Sequence, residues 1–195
     1  MSELWSILGA SAGGLFPALV WLWFWLREDN AHPEPKRLIA LAFFGGAIAV
    51  GLVIPIEQFA AAYITAHAEI ATGFQTTGQN LTFIIWAGVE ELFKFFAAAA
   101  LVLWRHEDDE PIDPVIYMVV VALGFAAAEN ILYLIPTHQP GSLSIVIGNS
   151  AIISFIRFIG ATFLHTLCSA LIGYFIALSF FKPRKKLKLT IIGIT

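Results

Sequence analysis

The chain has 195 residues, of which 58% are hydrophobic and 13% are charged, and its formal net charge is −3. Because a soluble domain usually carries about 25% charged residues, this composition excludes an ordinary soluble protein, and we expect no nucleic-acid partner. The single cysteine, Cys168, excludes an intramolecular disulfide.

Apolar runs of membrane-spanning length are the main structural signal in the chain. A transmembrane helix needs about 20 apolar residues, and five runs reach that length, in chain order at 4–26, 38–63, 81–104, 112–135 and 155–181. The sequence therefore predicts an all-α, polytopic integral membrane protein with five full transmembrane helices, folded as a single domain over residues 1–195.

The basic residues outside these spans all fall on one predicted side of the membrane. They are Arg27, Lys36, Arg37, Arg105, Lys182, Arg184, Lys185, Lys186 and Lys188. Since cytoplasmic segments carry the excess of Lys and Arg, the N-terminus is predicted to lie outside.

Two segments need a separate interpretation. Leu143–Phe181 is nearly continuous apolar sequence, and as one helix it would be about 58 Å long, whereas the hydrocarbon core is only about 30 Å thick. We therefore predict a lateral or re-entrant segment over 142–153 on the outer side. The last residues, Leu189–Thr195, look like the start of a sixth span, and they either lie at the interface or lead into further sequence.

The third span contains a cluster of charges, Glu90, Glu91 and Lys94. Each charge at the bilayer centre costs about 2.5–3.5 kcal/mol on insertion scales, so the cluster requires an explanation. Glu90 and Lys94 have the i,i+4 spacing of a structural ion pair, but that pair would leave Glu91 without a partner. Glu91 could instead pair with Lys94 at i,i+3, but one lysine cannot neutralise both carboxylates and Glu129 as well.

Two other spans carry polar residues at a similar depth, namely Glu129 with Asn130, and His165. Counted from the cytoplasmic ends at 1.5 Å per residue, Glu90 lies about 22 Å deep and both Glu129 and His165 lie about 25 Å deep. This coincidence predicts one shared polar cavity in the outer half of the bilayer.

Each of these residues also has a plain structural interpretation. Glu129 could be a protonated carboxyl group that bridges two helices, with Asn130 as a packing amide, and a lone histidine is more often a hydrogen-bonded core residue than a ligand. Arg157 is expected to extend to the outer interface. Glu57 is expected to be interfacial, and Cys168, on the face of His165, a packing residue.

Taken together, the carboxylates and the imidazole are the groups that activate a water molecule. They could do so through a bound metal ion that lowers the pKa of the water, or through a glutamate that acts directly as general base. Glu90 or Glu91 is the candidate base, Glu129 and His165 are either metal ligands or groups that orient the water, and Lys94 is expected to keep the first carboxylate ionised.

The order and spacing of these residues resemble a known family. The sequence contains Glu90-Glu91-x-x-Lys94, then Asp113, then Gly124-Phe125-x-x-x-Glu129-Asn130, then Arg157 and His165 ahead of Gly173-Tyr174. This pattern, over residues 80–180, resembles the PrsW family of bacterial intramembrane proteases, which is related to the CAAX prenyl endopeptidases.

The resemblance implies a protease of the bacterial inner membrane. It implies a catalytic set of Glu90, Glu91, Glu129 and His165, supported by Lys94, Asn130 and Arg157, with Zn²⁺ as a cofactor if a metal is bound. The implied partners are the lipid bilayer and a single-pass membrane substrate, such as an anti-sigma factor, cut on its extracytoplasmic side. Family members usually carry a further histidine in a last span, and the printed sequence stops where that span would begin.

Two other functions compete with proteolysis. Buried glutamates paired with a lysine also mark ion- or proton-coupled carriers and channels, although such a carrier normally shows an internal repeat, and none is visible here. A non-catalytic binding or scaffold protein of the same fold would tolerate neutral replacements of the polar residues.

Overall fold

A computed structural model of the chain describes residues 2–28, 33–68, 75–135, 151–181 and 185–194. The described residues form six helices and no strand: α1 (Ser2–Glu28), α2 (Lys36–Ala68), α3 (Gln75–Leu101), α4 (Asp113–Leu134), α5 (Ala151–Phe181) and α6 (Lys186–Ile194). The predicted all-α architecture is confirmed for this part of the chain.

Four helices, α1, α2, α4 and α5, are long and apolar enough to cross a membrane, so the protein is a polytopic membrane protein. The helix α3 is 27 residues long but carries three charges, and it is not among these four. It also ends at Leu101, three residues before the predicted boundary at 104, because Trp104 adopts a left-handed backbone conformation with φ of 64°. The Asp108 carboxylate accepts the Trp104 N–H at 2.8 Å and holds the turn.

The two unusual segments resolve differently. Most of the predicted lateral segment 142–153 lies outside the described residues, but 151–153 belong to α5, which starts four residues before the predicted 155. The predicted sixth-span start forms the nine-residue helix α6. It packs back against α5, since a Cβ added at Gly193 would lie 2.9 Å from the Cβ of Phe175.

The helix α4 forms the centre of the bundle and contacts α1, α2, α3 and α5. Its residues from Tyr117 to Leu123 have no exposed surface. Glycines allow the neighbouring backbones to approach closely: an added Cβ at Gly14 would meet the backbone of Ile131, and one at Gly173 would meet Val115 and Pro114. The helix α4 is thereby fixed against α1 near its C-terminal end and against α5 near its N-terminal end.

The closest approach joins α2 to α4. A Cβ at Gly46 would overlap the carbonyl oxygen of Val121, and a Cβ at Gly124 would overlap the carbonyl oxygen of Phe43. The two glycines thus form a reciprocal contact that no side chain can replace without separating the helices. Because α4 carries Glu129 eight residues further along its axis than Val121, this contact also sets the position of the polar cluster.

We expect Gly46→Ala to lower the free energy of unfolding by about 1–3 kcal/mol, as overpacking of a close contact does. Gly51→Ala is the matched control on the same helix, because nothing lies within 4 Å of a Cβ there. It should be neutral or stabilising by up to about 1 kcal/mol, the helix-propensity gain of alanine over glycine. Unfolding in mixed micelles, followed by tryptophan fluorescence, measures both values. Equal effects of the two substitutions would contradict the packing described here.

Candidate active site

The polar residues of α3, α4 and α5 meet around the ammonium group of Lys94. Its Nζ donates to Glu91 Oε1 at 2.7 Å and lies 3.5 Å from Glu90 Oε2. It also lies 2.8 Å from His165 Nδ1 on α5. Lys94 has no exposed surface, so a fully buried cation connects two carboxylates of its own helix to the histidine.

His165 connects this lysine to α4. Its Nε2 lies 3.0 Å from Glu129 Oε2, and its Nδ1 lies 3.4 Å from Glu90 Oε2. Since an ammonium group can only donate, Nδ1 accepts from Lys94, and the ring proton therefore resides on Nε2 and is donated to Glu129. The Phe125 ring covers one side of both residues, with its centroid 5.6 Å from the imidazole centroid and 4.4 Å from Lys94 Nζ.

Glu129 also receives a second donor from α5. Arg157 Nη2 donates to the same Oε2 atom at 2.8 Å, while Arg157 Nε donates to Asn130 Oδ1. The Asn130 amide in turn donates to Thr162 Oγ1 at 3.1 Å. Arg157 thus takes part in a polar network within the bundle, and the prediction that it would extend to the interface is wrong.

Glu91 joins α3 to α5 through a partner that the sequence reasoning did not assign. Ser169 Oγ donates to Glu91 Oε2 at 2.7 Å, so both carboxylate oxygens of Glu91 are occupied. Ser169 follows His165 by four residues, and i,i+4 residues share a helix face, which is the signal that would have placed it here. The closest partner of Lys94 on its own helix is Glu91, whereas the ion-pair interpretation paired it with Glu90.

Glu57 on α2 is the second residue that sequence reasoning missed. Its side chain lies near Glu90, and the Trp86 indole lies 3.4 Å from the Glu57 backbone oxygen, so α2 and α3 meet beside the cluster. Glu57 lies about 28 Å from residue 38 along α2, close to the outer edge of a hydrocarbon core that is about 30 Å thick. Its predicted interfacial position stays a prediction.

The structure brings Glu90, Glu91, Glu129 and His165 together, as the depth comparison predicted. Solvent reaches the two sides of the cluster to different extents: Lys94 is fully buried, whereas the Glu129 side chain is 34% exposed. The cluster is therefore anchored at its lysine and open at its Glu129 edge. Cys168 is half-buried, and its predicted packing role stays a prediction.

The described residues do not by themselves form a metal centre. No group of three His, Cys, Asp or Glu side chains within the described part of the chain is placed to hold a metal ion. The predicted ligands Glu129 and His165 are in contact with each other, and both imidazole nitrogens of His165 already have partners. The ammonium group of Lys94 occupies the position beside His165 Nδ1 that a metal ion bound to that nitrogen would take.

A protein-family model and individual relatives of the chain point to the same family. A protein-family model described as PrsW family intramembrane metalloprotease matches residues 34–195. The Protease PrsW of Geobacillus kaustophilus (strain HTA426) is 32% identical over 124 residues, which are 64% of this chain and 51% of that protein. The Protease PrsW of Bacillus subtilis (strain 168) is 26% identical over 174 residues, which are 89% of this chain and 70% of that protein.

A third relative extends the comparison to another genus. The Protease PrsW of Oceanobacillus iheyensis is 29% identical over 170 residues, or 87% of this chain and 69% of that protein. The aligned part of the chain thus spans about half the length of the Geobacillus relative and about two thirds of the other two. No solved structure matches the chain.

Proposed function

This chain belongs to the PrsW family of intramembrane metalloproteases, and on that premise we propose that it hydrolyses a peptide bond of a membrane-anchored protein at the Glu/His cluster. The observation that carries the proposal is the fully buried Lys94, which contacts Glu91 and His165 from two different helices. Burying that many charges in a bilayer is costly, and a packing role alone would be served by apolar side chains.

Glu90 is the better candidate for the general base. Both oxygens of Glu91 are held, one by Lys94 and one by Ser169, whereas Glu90 makes longer contacts of 3.4 and 3.5 Å with His165 and Lys94. A carboxylate with a weaker set of donors is freer to accept the proton of an attacking water. Lys94 keeps a positive charge beside both carboxylates, and Glu91 anchors α3 to α5.

The donors around Glu129 suggest how the developing negative charge is stabilised. Arg157 and His165 both donate to Glu129 Oε2, so two N–H groups from α5 converge on one anionic oxygen. Glu129 is the most exposed of the three carboxylates. If the carboxylate moves outward when substrate binds, the same two donors face the carbonyl oxygen that becomes negative in the tetrahedral intermediate.

The proposed substrate is a single-pass membrane protein of the anti-sigma-factor type, cut near its extracytoplasmic side. The matched depths of Glu90, Glu129 and His165 in the outer half of the bilayer support this position of the cut. The test is reconstitution of the full chain in liposomes with a single-pass anti-sigma factor that carries a tag at each end. We expect two fragments whose junction maps to the outer half of the substrate span. A substrate that stays intact, or a cut in its cytoplasmic half, would contradict the proposal.

The same assay separates the two ways of activating water. The family description implies a metal, with Zn²⁺ as the candidate, but the described donors do not complete a site for one. Cleavage at equal rates in 1,10-phenanthroline and in the non-chelating 1,7-isomer would mean that a glutamate activates the water directly. Loss of cleavage that Zn²⁺ restores would instead mean that ligands outside the described residues complete a metal site with Glu129 and His165.

The proposed topology places the protein in the bacterial inner membrane with five spans, of which α3 is the third, and with the N-terminus outside. In a Cys168→Ala background, a membrane-impermeant maleimide added to intact cells should label Ser142→Cys. It should leave Asp108→Cys unlabelled until the membrane is permeabilised, because the 105–111 loop is proposed to be cytoplasmic. The reverse pattern would overturn the topology derived from the Lys and Arg distribution.

A further inference from the structure

The helix α5 is not a regular α-helix where it carries the site. Residues Phe158–Thr162 form a π-helical segment, which lies between Arg157 and His165. A π-helical turn accommodates one extra residue within an α-helix, and such turns are rare and occur frequently at functional sites. The segment therefore changes the angular relation between the two residues on either side of it.

The change in angle accounts for a contact that a regular helix would not make. Arg157 and His165 are eight residues apart, and both donate to Glu129 Oε2. In a continuous α-helix, eight residues rotate about 800°, which leaves the two side chains about 80° apart around the axis. When the π turn absorbs one residue, the rotation is about 700°, which brings the two directions to within about 20°.

The π-helical segment is held by contacts from two other helices. The Trp21 indole on α1 lies 3.4 Å from the Phe158 carbonyl oxygen, and its ring centroid lies 5.6 Å from those of Phe158 and Phe163. On α4, Asn130 donates to Thr162 Oγ1. The π-helical segment is therefore fixed in the bundle by α1 at its first residue and by α4 at its last.

We propose that the π-helical segment Phe158–Thr162 is a positioning element of the site, which sets Arg157 in phase with His165 so that both donate to Glu129. The proposal rests on the proposed function for its catalytic consequence, although the phase itself is independent of that function. Arg157 and His165 touch the reacting region, and the segment acts only through them.

The test changes the sequence separation of Arg157 and His165, which is eight residues in the wild type. Deletion of Gly160 reduces the separation to seven residues, which rotate about 700° in a regular α-helix, so the phase is preserved and cleavage should stay close to the wild-type rate. Insertion of one alanine after Gly160 gives nine residues, which a single π turn leaves about 80° out of phase. Cleavage of the doubly tagged anti-sigma factor should then fall by about 100-fold, the usual effect of a misplaced catalytic group.

Gly160→Ala is the matched control, because it keeps the residue count and a Cβ at that position meets nothing within 4 Å. It should cleave like the wild type. If α5 acted as a regular helix at this point, deletion and insertion would both change the phase by one residue. A deletion variant as inactive as the insertion variant would therefore overturn the proposal.

A second measurement separates this inference from the proposed function. Double-mutant cycles on the melting temperature of the full chain in detergent report the coupling of Glu129→Gln with Arg157→Gln, and with His165→Gln. Both couplings should persist when Gly160 is deleted, and at least one should vanish in the insertion variant. If the insertion variant does not fold, loss of either coupling in the deletion variant would still refute the proposal. If the couplings follow the expected pattern but wild-type protein cleaves no substrate, the phase stands and the proposed function fails.

Discussion

Replacement of Lys94 by methionine is expected to abolish cleavage and to lower the free energy of unfolding by about 3–5 kcal/mol, the cost of removing one partner from a buried ion pair. Lys94 Nζ lies 2.7 Å from Glu91 and 2.8 Å from His165. Without it, Glu90 and Glu91 both lose the cation that lies between them and His165. His165 also loses the donor that holds its proton on Nε2.

Lys188→Met is the control for the loss of a lysine as such. Lys188 also lies in a helix, α6, but its side chain is exposed. Its replacement should change the free energy of unfolding by no more than about 0.5 kcal/mol, the usual range for a surface substitution, and should leave the cleavage rate unchanged. Unfolding in mixed micelles and cleavage in liposomes measure the two effects separately. A Lys94→Met protein that is as stable and as active as the Lys188→Met protein would show that the ammonium group is not the centre of the site.

The second large effect is expected at Glu90. Glu90→Gln keeps the size of the side chain but removes the basic oxygen, so the cleavage rate should fall by about 100- to 10,000-fold, the range for loss of a general base. Its contacts with Lys94 and His165 are long, so the melting temperature should change little.

Glu91→Gln is expected to affect the melting temperature more than Glu90→Gln does and the cleavage rate less. Glu91 is held at 2.7 Å by both Lys94 and Ser169, so removal of its charge should lower the melting temperature more than Glu90→Gln does. Ser169→Ala removes only the hydroxyl donor and should lower stability by about 1–3 kcal/mol, the cost of leaving a buried acceptor unsatisfied, with cleavage retained. A Glu90→Gln protein with normal cleavage beside an inactive Glu91→Gln protein would reverse the assignment of the base.

The sequence predicted the parts of the fold that depend on length and hydropathy. The four apolar helices follow from runs that are long enough to span a bilayer, and the convergence of Glu90, Glu129 and His165 follows from counting their depth along those helices. The depth count works because the rise per residue of an α-helix is nearly constant.

Features that depend on side-chain partners or on irregular helix geometry were not predictable in this way. Arg157 reaches Glu129 only because of the π-helical segment, and a hydropathy pattern carries no signal for a single extra residue in a helix. Lys94 has carboxylates at both i−3 and i−4, and the preference for Glu91 depends on the neighbouring helix, since Ser169 and His165 lie on α5. The end of α3 at Leu101 was missed because Trp104 takes a left-handed conformation that is uncommon for a large residue.

The central claim is that the cluster around Lys94 carries out peptide hydrolysis, and the most direct test is the single-turnover cleavage rate of His165→Ala beside wild type. Both proteins are reconstituted with the doubly tagged anti-sigma factor, and both are first shown to be folded by their melting transitions. The wild type should produce two fragments, and His165→Ala, which loses the contacts to both Lys94 and Glu129, should produce none above the protein-free background. Equal rates for the two folded proteins would show that the cluster is structural and that it is not the site of hydrolysis.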